Sequence, residues 1–192
     1  MSASGPIRKS ETTRDDWATP DEVYEALAEE FSFDIDGAAD ENNHKVAPWF
    51  GGPCTKPVTT IPEIVVYDCV CGLCGWWCEA GSSAFLNPPF GMGLSAWVDK
   101  CIMESEHDMT VVATLPNSTE AGWFQKAAES ADEVRLVYPR IQYVHSEECP
   151  CKACKEGKKG SNTGGTAIFV WRPRCDLRPN FRAQFSFWTW KK

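Results

Sequence analysis

Apolar positions recur along the chain with two different spacings, and the spacing changes repeatedly. In "DDWATPDEVYEALAEEF", Val23, Leu27 and Phe31 fall at helical intervals. That predicts a helix entered through a turn, with Pro20 in its first turn and Thr19 or Asp21 as its cap. Phe31, Phe33 and Ile35 then alternate, which predicts a short strand ending near Asp36. Residues 37–62 are rich in Pro, Gly, Asn and Thr and read mostly as loop. "EIVVYD" and "SSAFLN" follow as strand candidates, and "LSAWVDKCIMESE" reads as a helix with Leu94, Trp97, Val98 and Cys101 on one face.

The same alternation continues to the end of the chain. "MTVVATLP" is a β-branched strand stopped by proline, and "STEAGWFQKAAESA" a helix with Ser118 or Thr119 as its cap. "EVRLVYP" and "RIQYVHS" predict two strands or one broken strand. A polar loop over 146–165, a strong strand in "GTAIFVWRP" and an edge strand in "NFRAQFSFWTW" complete the pattern. Strands alternating with helices imply an α/β fold, a largely parallel sheet with helices on both faces. Ligands of such sheets sit beyond the carboxyl ends of the strands, where Asp36, Asn87 and Pro116 fall.

Length and composition narrow this picture. The 192 residues suit one domain, 17–192, with residues 1–16 as a flexible polar arm and Cys-rich insertions at about 68–79 and 146–160. With 43% hydrophobic residues, no apolar run of membrane-spanning length and no signal-like start, the chain reads as soluble and cytoplasmic. The net charge of −8 is unevenly spread: residues 1–134 carry −16 and residues 135–192 carry +8. Such asymmetry points to a polyanion at the basic end, against the plainer reading of a solvated charged face.

The stretch "AFLNPPFGMG" carries the chemistry. An exocyclic amine on a nucleobase is flat, conjugated and weakly nucleophilic. For it to attack a methyl donor, its two N–H groups must meet acceptors that favour a more tetrahedral nitrogen. Asn87 offers a side-chain carbonyl, and the peptide carbonyl between Pro88 and Pro89 offers a second. The prolines bring no competing donor and stiffen the turn. Phe90 suits stacking on a base swung out of its helix, while Gly91 and Gly93 leave room for a ligand. Catalysis of this kind rests on positioning and polarisation.

Asn87-Pro88-Pro89-Phe90 resembles the catalytic motif of amino-directed, S-adenosylmethionine-dependent methyltransferases. The wider pattern resembles the short, bacteriophage-type DNA adenine methyltransferases. Trp17, Thr19 and Pro20 match their opening Trp-x-Thr-Pro. Asp36, Ala38, Ala39, Asn43, Lys45, Trp49 and Phe50 follow in order, then Trp97, Leu115-Pro116, Trp123-Phe124 and Pro139-Arg140-Ile141. The match runs in register over about residues 17–172. The resemblance implies a class I S-adenosylmethionine-dependent methyltransferase (Rossmann-like) fold. It implies catalytic roles for Asn87, Pro88, Pro89 and Phe90. It also implies a cofactor site at Trp17, Thr19, Pro20, Asp36, Ala38 and Ala39, with Asp36 accepting from the cofactor's ammonium. The acceptor would be adenine in duplex DNA, held through the basic 152–182 region mainly by phosphate contacts.

Ten cysteines are many for a chain of this kind. Cys69-x-Cys71-x2-Cys74, with Cys78 following, and Cys149-x-Cys151-x2-Cys154 repeat one spacing, and a Cys-x2-Cys pair turns both thiolates toward one tetrahedral ion. The pattern predicts structural zinc. Cys71, Cys74, Cys151 and Cys154 suffice for one site, all seven thiols for a two-zinc cluster, or each cluster for its own site with His145 completing the second. An iron–sulfur cluster is the competing occupant. The metal reads as a staple between two long loops, with DNA contact secondary. Two other functions compete. One is methylation of a different planar nitrogen, on cytosine, an RNA base or a glutamine amide. The other is a zinc-dependent nucleic-acid-binding module without activity.

Overall fold

The computed structural model describes residues 17–51, 60–61, 64–65, 71–91, 93–144, 164–174 and 182–191. The first helix, α1, spans Asp21–Phe31. Its N-cap is Pro20 and no side chain caps it, so neither Thr19 nor Asp21 fills the predicted role. Val23 and Leu27 are buried, as their spacing requires. Phe31 is the last helical residue, and Ser32 follows in the left-handed conformation with φ 49°. The alternating Phe31-x-Phe33-x-Ile35 run is therefore half helix end. Only Ile35–Asp36 form the first strand, β1.

A two-stranded antiparallel ribbon, β2 (Thr60–Ile61) with β3 (Ile64–Val65), stands apart from the main sheet. The main sheet adds β4 (Ser83–Leu86), β5 (Thr110–Pro116), β6 (Glu133–Val137), β7 (Thr166–Trp171) and β8 (Gln184–Trp188). Its order is β1-β4-β5-β7-β6-β8. Strands β1, β4 and β5 are parallel, β7 runs antiparallel to both β5 and β6, and β8 is parallel to β6. One reversed strand thus sits inside an otherwise parallel sheet. "TAIFVW" is buried along its whole length because it is central and covered on both faces. The predicted edge strand is β8. The predicted "RIQYVHS" strand is not formed: its described residues make a single bridge, Val144 to Ala18, although Ile141 and Tyr143 are buried.

Helices α2 (Leu94–Ser105) and α3 (Gly122–Ser130) complete the layers. The N-cap of α3 is Ala121, so the helix begins beyond the expected Ser118 or Thr119 cap. Alternation along the strands divides the core. Leu86, Val111, Ala113, Leu115, Phe169 and Trp171 meet Leu94, Val98, Cys101, Phe124 and Ala127 of α2 and α3. Phe85, Val112, Ile168 and Val170 meet Leu27 of α1 on the opposite face. Arg135 of β6 ties α1 to the sheet. It donates to Glu30 Oε2 and Oε1 at 2.7 and 2.6 Å and to Glu133 Oε2 at 2.6 Å. No helix among the described residues is long and apolar enough to cross a membrane.

Candidate active site

The carboxyl ends of β1, β4 and β5 lie side by side, because Asp36 pairs with Phe85 and Leu86 with Ala113. Asn87 therefore leaves the sheet between the ends of β1 and β5. Its carboxamide is held at both ends: Nδ2 donates to the Trp17 carbonyl at 2.8 Å, and Oδ1 accepts from Thr114 Oγ1 at 3.2 Å. This arrangement fixes which end of the amide is oxygen and, among the described residues, leaves one Oδ1 lone pair without a donor. Pro88 is buried, Pro89 exposed and Phe90 half-buried. A Cβ at Gly91 or Gly93 would meet nothing within 4 Å, so the turn borders open space.

An aromatic wall stands over this turn. Phe90 meets Tyr143 edge-on with ring centroids 5.6 Å apart, and Trp17 stacks on Tyr143 at 6.4 Å. The Tyr143 hydroxyl lies 3.4 Å from Thr166 Oγ1. Burial pushes this phenol up to about 12, against hydrogen bonds from Thr166 and Thr114. Sequence reasoning missed Thr114 and Tyr143. The signal for Thr114 was a polar residue in an otherwise apolar strand, "VVATL"; Tyr143 sat in a segment read simply as strand.

The predicted cofactor residues divide into two groups. Trp17, Thr19 and Pro20 precede α1, and Trp17 reaches Asn87 through its carbonyl. Thr19 is 2% exposed and its hydroxyl has no partner among the described residues, a buried donor awaiting an acceptor. Asp36, Ala38 and Ala39 form a turn at the end of β1. The Asp36 carboxylate accepts from the backbone N–H of Lys45 at 3.0 Å and of Ala38 at 3.3 Å. Burial raises its pKa to about 6, and those hydrogen bonds oppose the shift.

Neighbouring segments clamp the turn on two sides. Ala39 N donates to Phe50 O at 2.9 Å, and Phe50 N to Asp36 O at 2.8 Å. A Cβ on Gly51 would lie 1.5 Å from Ala39 O, which only glycine permits. On the other side, a Cβ on Gly72 would lie 2.3 Å from Gly37 O, and one on Gly37 would lie 2.7 Å from the Trp77 ring. The first Cys-rich segment is thus the back wall of the Asp36–Ala39 turn.

That segment is itself anchored to α2. Glu104 is fully buried and accepts from Trp77 N and Cys78 N, both at 3.1 Å. Lys100 Nζ donates to Glu104 Oε1 and to Gly75 O, each at 2.5 Å. Cys74 N and Gly75 N both donate to Cys71 O, at 3.1 and 2.9 Å, which closes a tight turn over Cys71-x2-Cys74. Among the described residues no three His, Cys, Asp or Glu side chains are grouped to hold a metal ion. Cys69, Cys149, Cys151, Cys154 and His145 lie outside the described residues. Most of the basic 152–182 region lies outside them too, and Arg172 is paired with Glu133 at 2.5 Å.

A family model for DNA N-6-adenine-methyltransferase (Dam) matches residues 7–53 and 68–184. The chain belongs to the DNA N-6-adenine-methyltransferase (Dam) family. The match spans both the β1 turn and the Asn87 turn. The sheet beneath both turns is mixed, with one reversed strand among parallel ones. No curated protein matches the chain. A crystal structure described as a predicted O-methyltransferase from Agrobacterium tumefaciens is 14% identical, with a TM-score of 0.29. That similarity covers 58% of this chain and 42% of the other, so the chain spans less than half that protein's length. Thr19's unpartnered hydroxyl and the clamped turn carrying the Asp36 carboxylate fit a cofactor with polar and cationic groups.

Proposed function

We propose that this chain methylates the exocyclic amine of adenine in DNA, with the base turned out of the duplex onto Asn87, Pro88, Pro89 and Phe90. The observation that carries the reading is the Asn87 carboxamide, held by Trp17 O and Thr114 with one Oδ1 lone pair unclaimed among the described residues. The amine's two hydrogens are accepted by Asn87 Oδ1 and the Pro88 carbonyl, drawing the nitrogen lone pair out of conjugation with the ring. Phe90, braced by Tyr143, stacks on the base. Thr19, Asp36, Ala38 and Ala39 hold S-adenosylmethionine, which supplies an electrophilic methyl group. After transfer, one amine proton departs to solvent past the two carbonyls.

The test is Asn87→Ala. Loss of one preorganised polar group at the reacting atom should lower kcat by about 10²–10³-fold. Cofactor affinity should stay near wild type by titration. Loss of cofactor binding in parallel with activity would show that Asn87 serves the cofactor and not the amine. DNA is taken up along the basic 152–182 region, a role supported by the +8 balance of residues 135–192. The Cys71-x2-Cys74 turn supplies two ligands of a structural zinc, completed from Cys69, Cys78, Cys149, Cys151 and Cys154. The tight backbone turn between the two thiols supports this.

A further inference from the structure

Asn87 can act only if its carboxamide is presented oxygen-first, and an asparagine side chain by itself has no preference between its two flips. The Nδ2 bond to Trp17 O sets one end at 2.8 Å. The other end rests on Thr114, which is fully buried in the middle of the sheet on β5. Its hydroxyl carries one proton and faces two acceptors, Asn87 Oδ1 at 3.2 Å and Leu86 O at 3.4 Å. Behind it, Tyr143 is 3% exposed, and its hydroxyl lies 3.4 Å from Thr166 Oγ1. Were the amide flipped, its N–H would face the Thr114 hydroxyl and its oxygen would face the Trp17 carbonyl, acceptor against acceptor.

We propose that Thr114, backed by Tyr143, is a positioning residue that holds the Asn87 carboxamide in the orientation the reaction needs. This rests on the reading of Asn87 as the acceptor for the amine. Thr114 touches no substrate atom. The Trp17 carbonyl selects the flip, and the Thr114 hydroxyl holds the oxygen end in place while the site is empty. When the base arrives, its amine takes the Oδ1 lone pair that Thr114 leaves free. A β-branched residue at a buried strand position is already fixed in rotamer, so the hydroxyl is aimed at no further entropic cost. Valine at position 114 would satisfy the strand equally well; the hydroxyl is the part that packing does not explain.

Thr114→Val keeps the shape and removes the donor, while Thr114→Ser keeps the donor. Two readouts decide the matter. The first is hydrogen-exchange protection of the Asn87 side-chain N–H by NMR, in the full chain without DNA. Wild type and Thr114→Ser should protect the proton bonded to Trp17 O, and Thr114→Val should lose about tenfold or more of that protection. The second is steady-state methyl transfer to duplex DNA. Thr114→Val should lower kcat about tenfold or more with KM for S-adenosylmethionine unchanged, and Thr114→Ser should stay within about threefold of wild type. Unchanged protection in Thr114→Val, or a serine variant as impaired as the valine variant, would overturn the proposal. If Thr114→Val does not fold, Thr114→Ala removes the same donor and carries the same two tests. A wild-type protein that methylates no DNA would overturn the acceptor reading alone, because the exchange series still decides the role of Thr114.

Discussion

Replacing Glu104 by Gln tests how the Cys-rich segment supports the β1 turn. Glu104 is fully buried, and its carboxylate takes three donors: Trp77 N, Cys78 N and Lys100 Nζ. Gln brings one acceptor oxygen and a nitrogen that would face a donor. It also leaves the Lys100 ammonium, whose side chain is 4% exposed, without its counter-charge and with neutral acceptors such as the Gly75 carbonyl. Removing one partner of a buried ion pair costs about 3–5 kcal/mol. For a chain of this size that lowers Tm by about 6–20 °C. Because Trp77 packs on Gly37, cofactor affinity should fall in the same variant. Adding Lys100→Met removes the stranded ammonium and should recover part of the loss. Urea unfolding with an unchanged m-value, paired with cofactor titration, reads both effects. A loss below about 1 kcal/mol would show that the pair does not anchor the segment.

Three further outcomes follow from the same geometry. Asp36 has a pKa raised by burial to about 6, so its charge is present above that pH and lost below it. If it accepts from the cofactor's ammonium, cofactor affinity should drop as pH falls through about 6 and be flat from 7 to 8. The folding contribution runs the other way: the raised pKa means ionised Asp36 opposes folding, so Asp36's share of stability declines as pH rises from about 4 to about 6. Arg135→Ala should destabilise by about 2–4 kcal/mol in chemical unfolding, since Glu30 and Glu133 lose their shared partner. Purified, untagged protein should contain at least one equivalent of zinc by elemental analysis; much less would remove the metal proposal.

Sequence and structure agree where local spacing and burial demand the same thing. Val23 and Leu27, the "SSAFLN" and "VVATL" strands, and the edge strand at Gln184–Trp188 were all legible from periodicity. The carboxyl-end placement of Asp36 and Asn87 followed from parallel strands alone. The reversal of β7 was not legible, because a fully buried strand reads the same in either direction and only its pairing with β5 and β6 sets its sense. The helix starts were misread for a related reason. Thr19 and Ser118 have good capping chemistry, but α1 begins at Asp21 after Pro20 without a side-chain cap and α3 waits until Gly122. Thr114 and Tyr143 escaped because their role depends on contacts 27 and 23 residues away in sequence, to Asn87 and Thr166. The glycine contacts that lock Gly72 and Gly51 against the β1 turn were invisible for the same reason.

These contacts describe a site whose parts come from distant segments. Trp17 before α1 and Thr114 on β5 converge on the carboxamide in the turn after β4, and Tyr143 before β7 packs on Trp17 and on Phe90 of that turn. The β1 turn beside it is gripped between Phe50-Gly51 and the Cys-rich segment. Such convergence gives positional precision without a titrating catalytic base.

The most direct test is transfer of a labelled methyl group from S-adenosylmethionine to mixed-sequence duplex DNA, followed by digestion to nucleosides and mass spectrometry. Label is expected on the exocyclic nitrogen of deoxyadenosine, and none with Asn87→Ala. Label on cytosine's amine would keep the mechanism and contradict the base. No label on DNA, from protein shown by titration to bind the cofactor, would contradict the central claim.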